Sequence, residues 1–303
     1  MTWPLREPQR QALVAALQQY DARVERLAGL SSPARYEALS WQIVASLRRE
    51  DYYSLVQKRH GGIERTDPNH TSFDPERAVA WHGAQGDVDE ASWLIFLMTH
   101  FARPADTGWL RLRDVYGKLG TGRWTWNIVR QNPAAFSTWV NTNAGAIRGK
   151  FGNHRKYESL RADADKPFAR TVADYVQMIG PNGHAGFIVR AGQRGGNDRF
   201  DYLYQNFAVR GFGRLAKFDY LMLLSRYDIV SMVPTQAYLA QATGPKRGAR
   251  LLFDDDPDSP TSPGRIQQKL SLLDNSLHLG MAVWEDSLCN WQKSPDLFVH
   301  YTG

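Results

Sequence analysis

Cysteine is nearly absent from this chain of 303 residues, with Cys289 standing alone. That excludes an intrachain disulfide and any zinc or iron–sulfur centre built on several thiolates, and it favours a reducing compartment. Long apolar runs are missing as well: no stretch approaches the roughly 18 residues that cross a bilayer. The opening M-T-W-P-L-R-E-P-Q-R has no apolar signal-peptide core. The expectation is a soluble, cytoplasmic protein with no membrane association. Histidines at metal-ligand spacing are lacking too, because none of the eight falls at i, i+4 or in a His-x-Glu pair, and His60, His70 and His82 sit in polar, loop-like sequence. No metal and no cofactor are therefore expected. Strand signals are scarce, no internal repeat is visible, and nothing marks a protein partner.

Aromatic residues, by contrast, are plentiful: ten Trp, thirteen Tyr and thirteen Phe. Trp81, Trp93, Trp109, Trp124, Trp126 and Trp139 fall close together and read mainly as core, although any exposed ring is also a platform for a nucleic-acid base. The net charge is +6 and the pI about 9.4. Lys and Arg concentrate around 148–156, 190–214 and 246–250, which implies a cationic face able to attract a polyanion.

Apolar residues recur at helical spacing, first at Leu13, Leu17, Val24 and Leu27, then at Leu39, Ile43, Val44 and Leu47. The pattern continues over 92–101, 133–140, 168–179, 218–224, 235–242 and 266–291, with Gly or Pro at the breaks. The fold class read from this is mostly α, a two-lobed helical bundle with a cleft between the lobes. The division expected is an N-terminal helical region over 1–130 and a second over 131–303, packed intimately as one unit. The segments 61–75 and 254–264, the latter acidic and proline-rich, read as exposed loops.

The segment Val209 to Leu224, V-R-G-F-G-R-L-A-K-F-D-Y-L-M-L-L, carries the most information. Gly211 and Gly213 permit positive φ and close backbone approach. The amides opening the following helix then face outward, where a phosphate is favoured by the helix dipole. Arg210, Arg214 and Lys217 add positive charge. The same letters fit Gly-x-Gly-x-x-Ala of a dinucleotide site, but that needs a β-branched strand before the first glycine, and Arg199 to Val209 is aromatic and polar. A hairpin that grips DNA and an ordinary tight turn between helices both remain open.

Lys150 to Leu160, K-F-G-N-H-R-K-Y-E-S-L, crowds polar groups after a glycine turn. Asn153, His154 and Tyr157 suit hydrogen bonds to a flipped base or its sugar, Arg155 and Lys156 suit phosphates, and Glu158 is a carboxylate within reach. A helix start with a solvated basic face explains the same residues equally well. In A-T-G-P-K-R-G-A-R-L-L-F, Lys246, Arg247 and Arg250 on a glycine-proline turn offer further phosphate contacts or a plain connection. W-E-D-S-L-C-N-W-Q-K near the C-terminus reads as packing support.

Together, F-G-N-H-R-K-Y-E-S-L, G-F-G-R-L-A-K-F-D-Y-L, Y-L-A-Q-A-T-G-P-K-R-G-A-R-L-L-F and W-E-D-S-L-C-N-W-Q-K resemble the α-glutamyl/putrescinyl thymine pyrophosphorylase family, a branch of the helix-hairpin-helix DNA glycosylase fold. The resemblance covers about residues 140–300. Its members are associated with hypermodified pyrimidines in phage DNA: some are proposed to build the modification, and a related branch excises modified bases as antiphage glycosylases. The resemblance implies base flipping by a hydrolase whose partner is DNA, in particular modified phage DNA, with 131–303 as the glycosylase-like region. Gly211, Gly213, Arg214, Lys217, Arg155, Lys156, Lys246 and Arg247 are the implied DNA contacts, and Asn153, His154 and Tyr157 the base or sugar pocket. Leu215 stands where lyase-active members carry a Schiff-base lysine, which implies a monofunctional glycosylase. Pro234, in V-P-T-Q-A-Y, stands where the catalytic Asp is expected, so Asp219, then Asp228 and Glu158, are the candidate carboxylates. The alternatives are a transferase that installs an amine on a pyrophosphorylated hydroxymethylpyrimidine, and a non-catalytic DNA-binding module.

Overall fold

In the computed structural model, which describes residues 2–301 apart from the side chain of Asn197, the chain is helical throughout and no strand forms among the described residues. The helices are, in order, α1 (Glu7–Arg23), α2 (Pro33–Lys58), α3 (Pro75–Ala84), α4 (Val88–Phe101), α5 (Leu110–Tyr116), α6 (Trp126–Gln131), α7 (Pro133–Asn143), α8 (Phe168–Ile179), α9 (Gly183–Gly195), α10 (Arg199–Asn206), α11 (Arg214–Arg226), α12 (Gly244–Asp254), α13 (Pro263–Leu277) and α14 (Met281–Trp291). Side-chain caps start several of them: Asp74, Asp87, Asn132 and Ser262 each accept a hydrogen bond from an amide of the first turn, satisfying a donor that helix geometry leaves unpaired. No described helix is long and apolar enough to cross a membrane.

The chain forms two compact units: residues up to Tyr52 together with those from Pro234 onward, and the intervening Tyr53–Val233. The division at residue 130 read from the sequence falls instead within α6, inside the second unit. In the first unit the apolar faces of α1, α2, α12, α13 and α14 meet in one core that includes Leu17, Leu39, Leu252, Leu270 and Trp284. Gly248 makes the α12–α14 approach possible, since a Cβ there would lie 2.2 Å from the Leu288 carbonyl oxygen. The helix expected over 235–242 is not formed; only Leu239–Gln241 makes a 3-10 turn. Tyr238 adopts φ 52°, and the Ala237 amide donates to Gln267 Oε1 on α13 at 3.0 Å, so a tertiary partner takes the place of a helical carbonyl. The loop after α12 is only partly exposed, because Ser259 is buried, donating its hydroxyl to Asp254.

The second unit is built around α4. Every residue from Glu90 to Phe101 is buried, as an all-round apolar helix requires, and α3, α5, α6, α9 and α11 surround it. Of the acids at its N-terminus Glu90 is buried, while Asp89 stays partly exposed and meets a buried histidine. His184 donates from both its backbone amide (2.6 Å) and Nδ1 (2.7 Å) to Asp89, and its Nε2 lies 2.6 Å from the Tyr175 hydroxyl, which in turn lies 2.8 Å from Tyr220. Burial lowers the His184 pKa, although the hydrogen bond to and charge of Asp89 oppose the shift. Glu90 accepts from the Tyr116 hydroxyl (2.7 Å) and the Trp126 amide (2.8 Å), while burial pushes its pKa up to about 7.

That elevation has a sign. Between the ordinary carboxyl value of 4.5 and about 7 the folded chain holds a proton that the unfolded chain has released, so stability falls as pH rises through this window and is level above it. Glu90→Gln, which keeps an acceptor for Trp126, removes the dependence. Denaturant titrations at both ends of the window should show the wild type losing on the order of 3 kcal/mol relative to the variant, from about 1.4 kcal/mol per pKa unit; parallel pH profiles would refute the assignment.

Candidate active site

The segment between α10 and α11 is a tight hairpin. The Phe212 amide donates to the Val209 carbonyl at 3.1 Å, and Gly211 occupies the turn with φ +81°, a conformation that only glycine adopts without strain. Gly213 differs from expectation: its φ is −72° and its backbone is extended, so no positive φ demands glycine there. It caps α11 in open space, with nothing within 4 Å of where a Cβ would stand. Between the two glycines Phe212 turns inward and is buried. Its ring stacks on Phe96 of α4 with centroids 5.1 Å apart and planes 3° off parallel, which fixes the hairpin to the core of the unit.

Lys150 to Leu160 reaches the same place, though not as a helix start. Gly152 lies so close to the end of α4 that a Cβ would sit 2.7 Å from that of Ala102; Asn153–Arg155 then makes one 3-10 turn. A loop closed by Ser159 N to Lys166 O (3.1 Å) and Phe168 N to Ser159 O (2.7 Å) follows. Arg155 is buried, its guanidinium donating to the carbonyls of Thr99 (3.3 Å) and Gly211 (3.1 Å) and lying 5.1 Å from the Phe212 ring centre. Burial weakens its hold on the proton, while the charges of Asp219 and Glu158 oppose that shift.

Glu158 is 9% exposed. A Cβ on Gly211 would lie 3.3 Å from its Oε2 and 3.1 Å from Thr171 Oγ1, so the turn glycine makes room for the carboxyl. Oε2 is buried with no hydrogen-bond partner among the described residues. Burial raises the Glu158 pKa against the pull of Arg155 and Lys166. A cavity of about 240 Å³ opens here, lined by His154, Arg155, Tyr157, Glu158 and Lys166 on one side of the sequence and by Gly211 with Gly213 to Ala216 on the other. A carboxyl that retains its proton easily, among cations and beside the open amide end of α11, can give or take a proton next to a bound anion.

The structure thus assembles His154, Arg155, Tyr157, Glu158, Gly211, Gly213 and Arg214. Asn153 and Lys156 are exposed next to these residues without lining the cavity, Lys156 lying 5.1 Å from the Tyr157 ring centre. Asp219, on α11, does not line the cavity and acts on Arg155 through its charge. Lys217 is half-buried on α11 and does not line the cavity, and Asp228 is exposed in a left-handed turn after α11 with φ 55°. Lys246 and Arg247 belong to α12 in the first unit, where Arg247 pairs with Asp258. Lys166 and Thr171 escaped the sequence reading, since only the Ser159–Phe168 closure and the packing of α8 bring them in.

A family described as alpha-glutamyl/putrescinyl thymine pyrophosphorylase clade 3 has a sequence model that matches residues 34–303. The chain belongs to this family. The match begins in α2 and takes in both units, so the likeness extends well upstream of the 140–300 stretch legible in the motifs. No curated protein and no solved structure matches the chain.

The two glycines of this family member should respond differently to substitution. Gly211→Ala meets both backbone strain and contact with Glu158 and Thr171, and should destabilise by about 1–2 kcal/mol. Gly213→Ser, at an open N-cap, should stay within about 0.5 kcal/mol of wild type. Thermal melts of the two variants test this, and equal losses would contradict the geometry.

Proposed function

We propose that the chain is a monofunctional DNA glycosylase that flips a hypermodified pyrimidine, such as glucosylated hydroxymethylcytosine, out of phage DNA in antiphage defence and leaves an abasic site. The observation that carries the reading is Glu158: a buried carboxyl with a raised pKa and an unpartnered oxygen, in a cavity whose other wall is the glycine hairpin. Family membership supplies the modified pyrimidine, the phage origin follows from the resemblance within the family, and the cytoplasmic setting rests on the lone cysteine and the missing signal-peptide core.

In this mechanism the amides at the start of α11, with Arg214, hold a strand phosphate. The base enters the cavity past His154 and Tyr157. As the C1′–N1 bond breaks, protonated Glu158 delivers its proton to the departing pyrimidine, and the resulting carboxylate faces the electron-poor sugar. Water then forms the new C1′–O bond and returns a proton to Glu158. Asp219 offsets part of the cost of burying the Arg155 charge, and Arg155 holds the Gly211 carbonyl and hence the hairpin in place. Leu215 lines the cavity, and the resemblance puts the Schiff-base lysine of lyase-active members at this position, which supports hydrolysis without strand scission. Asp228 has no part in this scheme.

A second reading draws on the family description itself: transfer of an amine to a pyrophosphorylated hydroxymethylpyrimidine, with Lys166, Arg214 and His154 around the pyrophosphate. The amine nitrogen would bond to the 5-methylene carbon as its bond to pyrophosphate oxygen breaks, and Glu158 would accept the proton. The two readings place Glu158 on opposite sides of a proton transfer. For the glycosylase, the rate on glucosylated phage DNA should fall as pH rises through the elevated Glu158 pKa; for the transferase it should rise with pH. Glu158→Gln should lower free-base release by about 100-fold or more and abolish that limb. Alkali-labile breaks and mass spectrometry of released molecules read the outcome. Pyrophosphate release without free base would replace the first reading by the second. Wild-type action that survives Glu158→Gln, Asp219→Asn and Asp228→Asn together would sink both.

A further inference from the structure

Glu158 is a wall common to two cavities. Besides the hairpin cavity it borders an open cleft of about 300 Å³, at the lower end of the range for small-molecule sites. Arg111, Phe151, Gly145 and Arg161 give this cleft its chemistry. Arg111 projects from α5 and its guanidinium lies 4.6 Å from the Phe151 ring centre. It donates Nε to the Arg148 carbonyl at 3.4 Å and Nη2 to that of Gly149. The fit is close, since a Cβ on Gly149 would stand 2.9 Å from the Arg111 amide nitrogen. Those partners are an aromatic face and two neutral carbonyls, none of which carries a negative charge. A half-buried guanidinium without a counter-charge is electrostatically incomplete, and a carboxylate or phosphate is the group that completes it. Arg161 adds a second cation on the same cleft, already shared with Asp163 at 2.6 Å. Gly145 leaves the cleft wide, with nothing within 4 Å of its absent Cβ.

We propose that the Arg111–Phe151 cleft is a second subsite that takes an anionic group of the substrate DNA. The group is either carried on the base that enters the hairpin cavity or is a phosphate of the same strand. The inference rests on the reading that the Glu158 cavity receives a base from DNA. An acidic substituent and its pyrimidine would then lie on the two sides of one carboxyl, and Arg111 would select for the charge.

The test is binding, not turnover. Fluorescence anisotropy compares a short duplex containing one 5-carboxycytosine with a matched duplex containing one 5-hydroxymethylcytosine, using wild type, Arg111→Gln and Gly145→Leu. Gly145→Leu adds bulk where the fold has room, so it tests the cleft even if Arg111→Gln loosens the Phe151 contact. Arg111→Gln is expected to weaken the carboxylated duplex about tenfold and leave the hydroxymethyl duplex within about twofold, which assigns the anion to the base. An equal loss on both duplexes, with the salt dependence of binding reduced by about one counterion, assigns it to a strand phosphate. Affinities unchanged in both variants would overturn the subsite. Arg111-dependent binding by a wild-type chain that releases no base from glucosylated phage DNA would remove the glycosylase reading and leave the subsite standing; failure of the wild type to bind either duplex would overturn the subsite.

Discussion

The stacking of Phe212 on Phe96 is the contact on which the candidate site depends. A hairpin between two helices is free to flex unless something inside it is held, and here the residue between two glycines is buried against the central helix, 5.1 Å ring to ring and nearly parallel. Phe96 in turn lies 3.9 Å from Tyr175 and 5.5 Å from Trp93, so the column runs from the hairpin into the aromatic centre of the unit. Interiors this dense transmit displacement. The abundance of aromatic residues therefore has a specific use: it turns a glycine-rich turn into a rigid edge.

Electrostatics then act on that rigid frame. Arg155 is a buried cation whose hydrogen bonds go to carbonyls and whose charge is balanced by Asp219 and Glu158. Burying an ion is unfavourable unless it is hydrogen-bonded and compensated; the carbonyls of Thr99 and Gly211 supply the hydrogen bonds and Asp219 and Glu158 the opposing charge. The consequence for Glu158 is a divided environment: burial favours its neutral form, Arg155 and Lys166 favour its anion. Burial is the larger effect, so the pKa is raised, the direction that suits a carboxyl to proton transfer.

Much of the fold was legible in the sequence because helices announce themselves through periodicity and caps. The 3.6-residue pattern marked α1, α2, α4, α7, α8, α11, α13 and α14, and Gly211 marked the hairpin through the φ it requires. Pairings distant in sequence were not legible. Glu158 ranked third among the carboxylates on sequence grounds and yet is the one that lines the cavity, because its proximity to Gly211 arises only when the 148–152 segment lies along α5 and the end of α4. Arg155 reads as a surface phosphate contact in a basic run, but it is buried, its neighbours being aromatic and carbonyl groups contributed by α4 and the hairpin. The 235–242 stretch has helical spacing, and a glutamine from α13 overrides it. In each case a partner remote in the chain decides the outcome, and no local window contains that information.

The first unit draws its core from both sides of the second, with α1 and most of α2 on one side and α12 to α14 on the other. Synthesis proceeds from the N-terminus, so the two parts meet in a fixed temporal order. Leu13, Leu17, Leu39 and Ile43 emerge from the ribosome well before Leu252, Leu270 and Trp284 exist to cover them, whereas residues 53–233 carry the helices that enclose α4 within one uninterrupted stretch. The unit with the candidate site is thus able to condense during translation, while the earliest helices wait as an exposed apolar surface, the kind of intermediate that holding chaperones recognise.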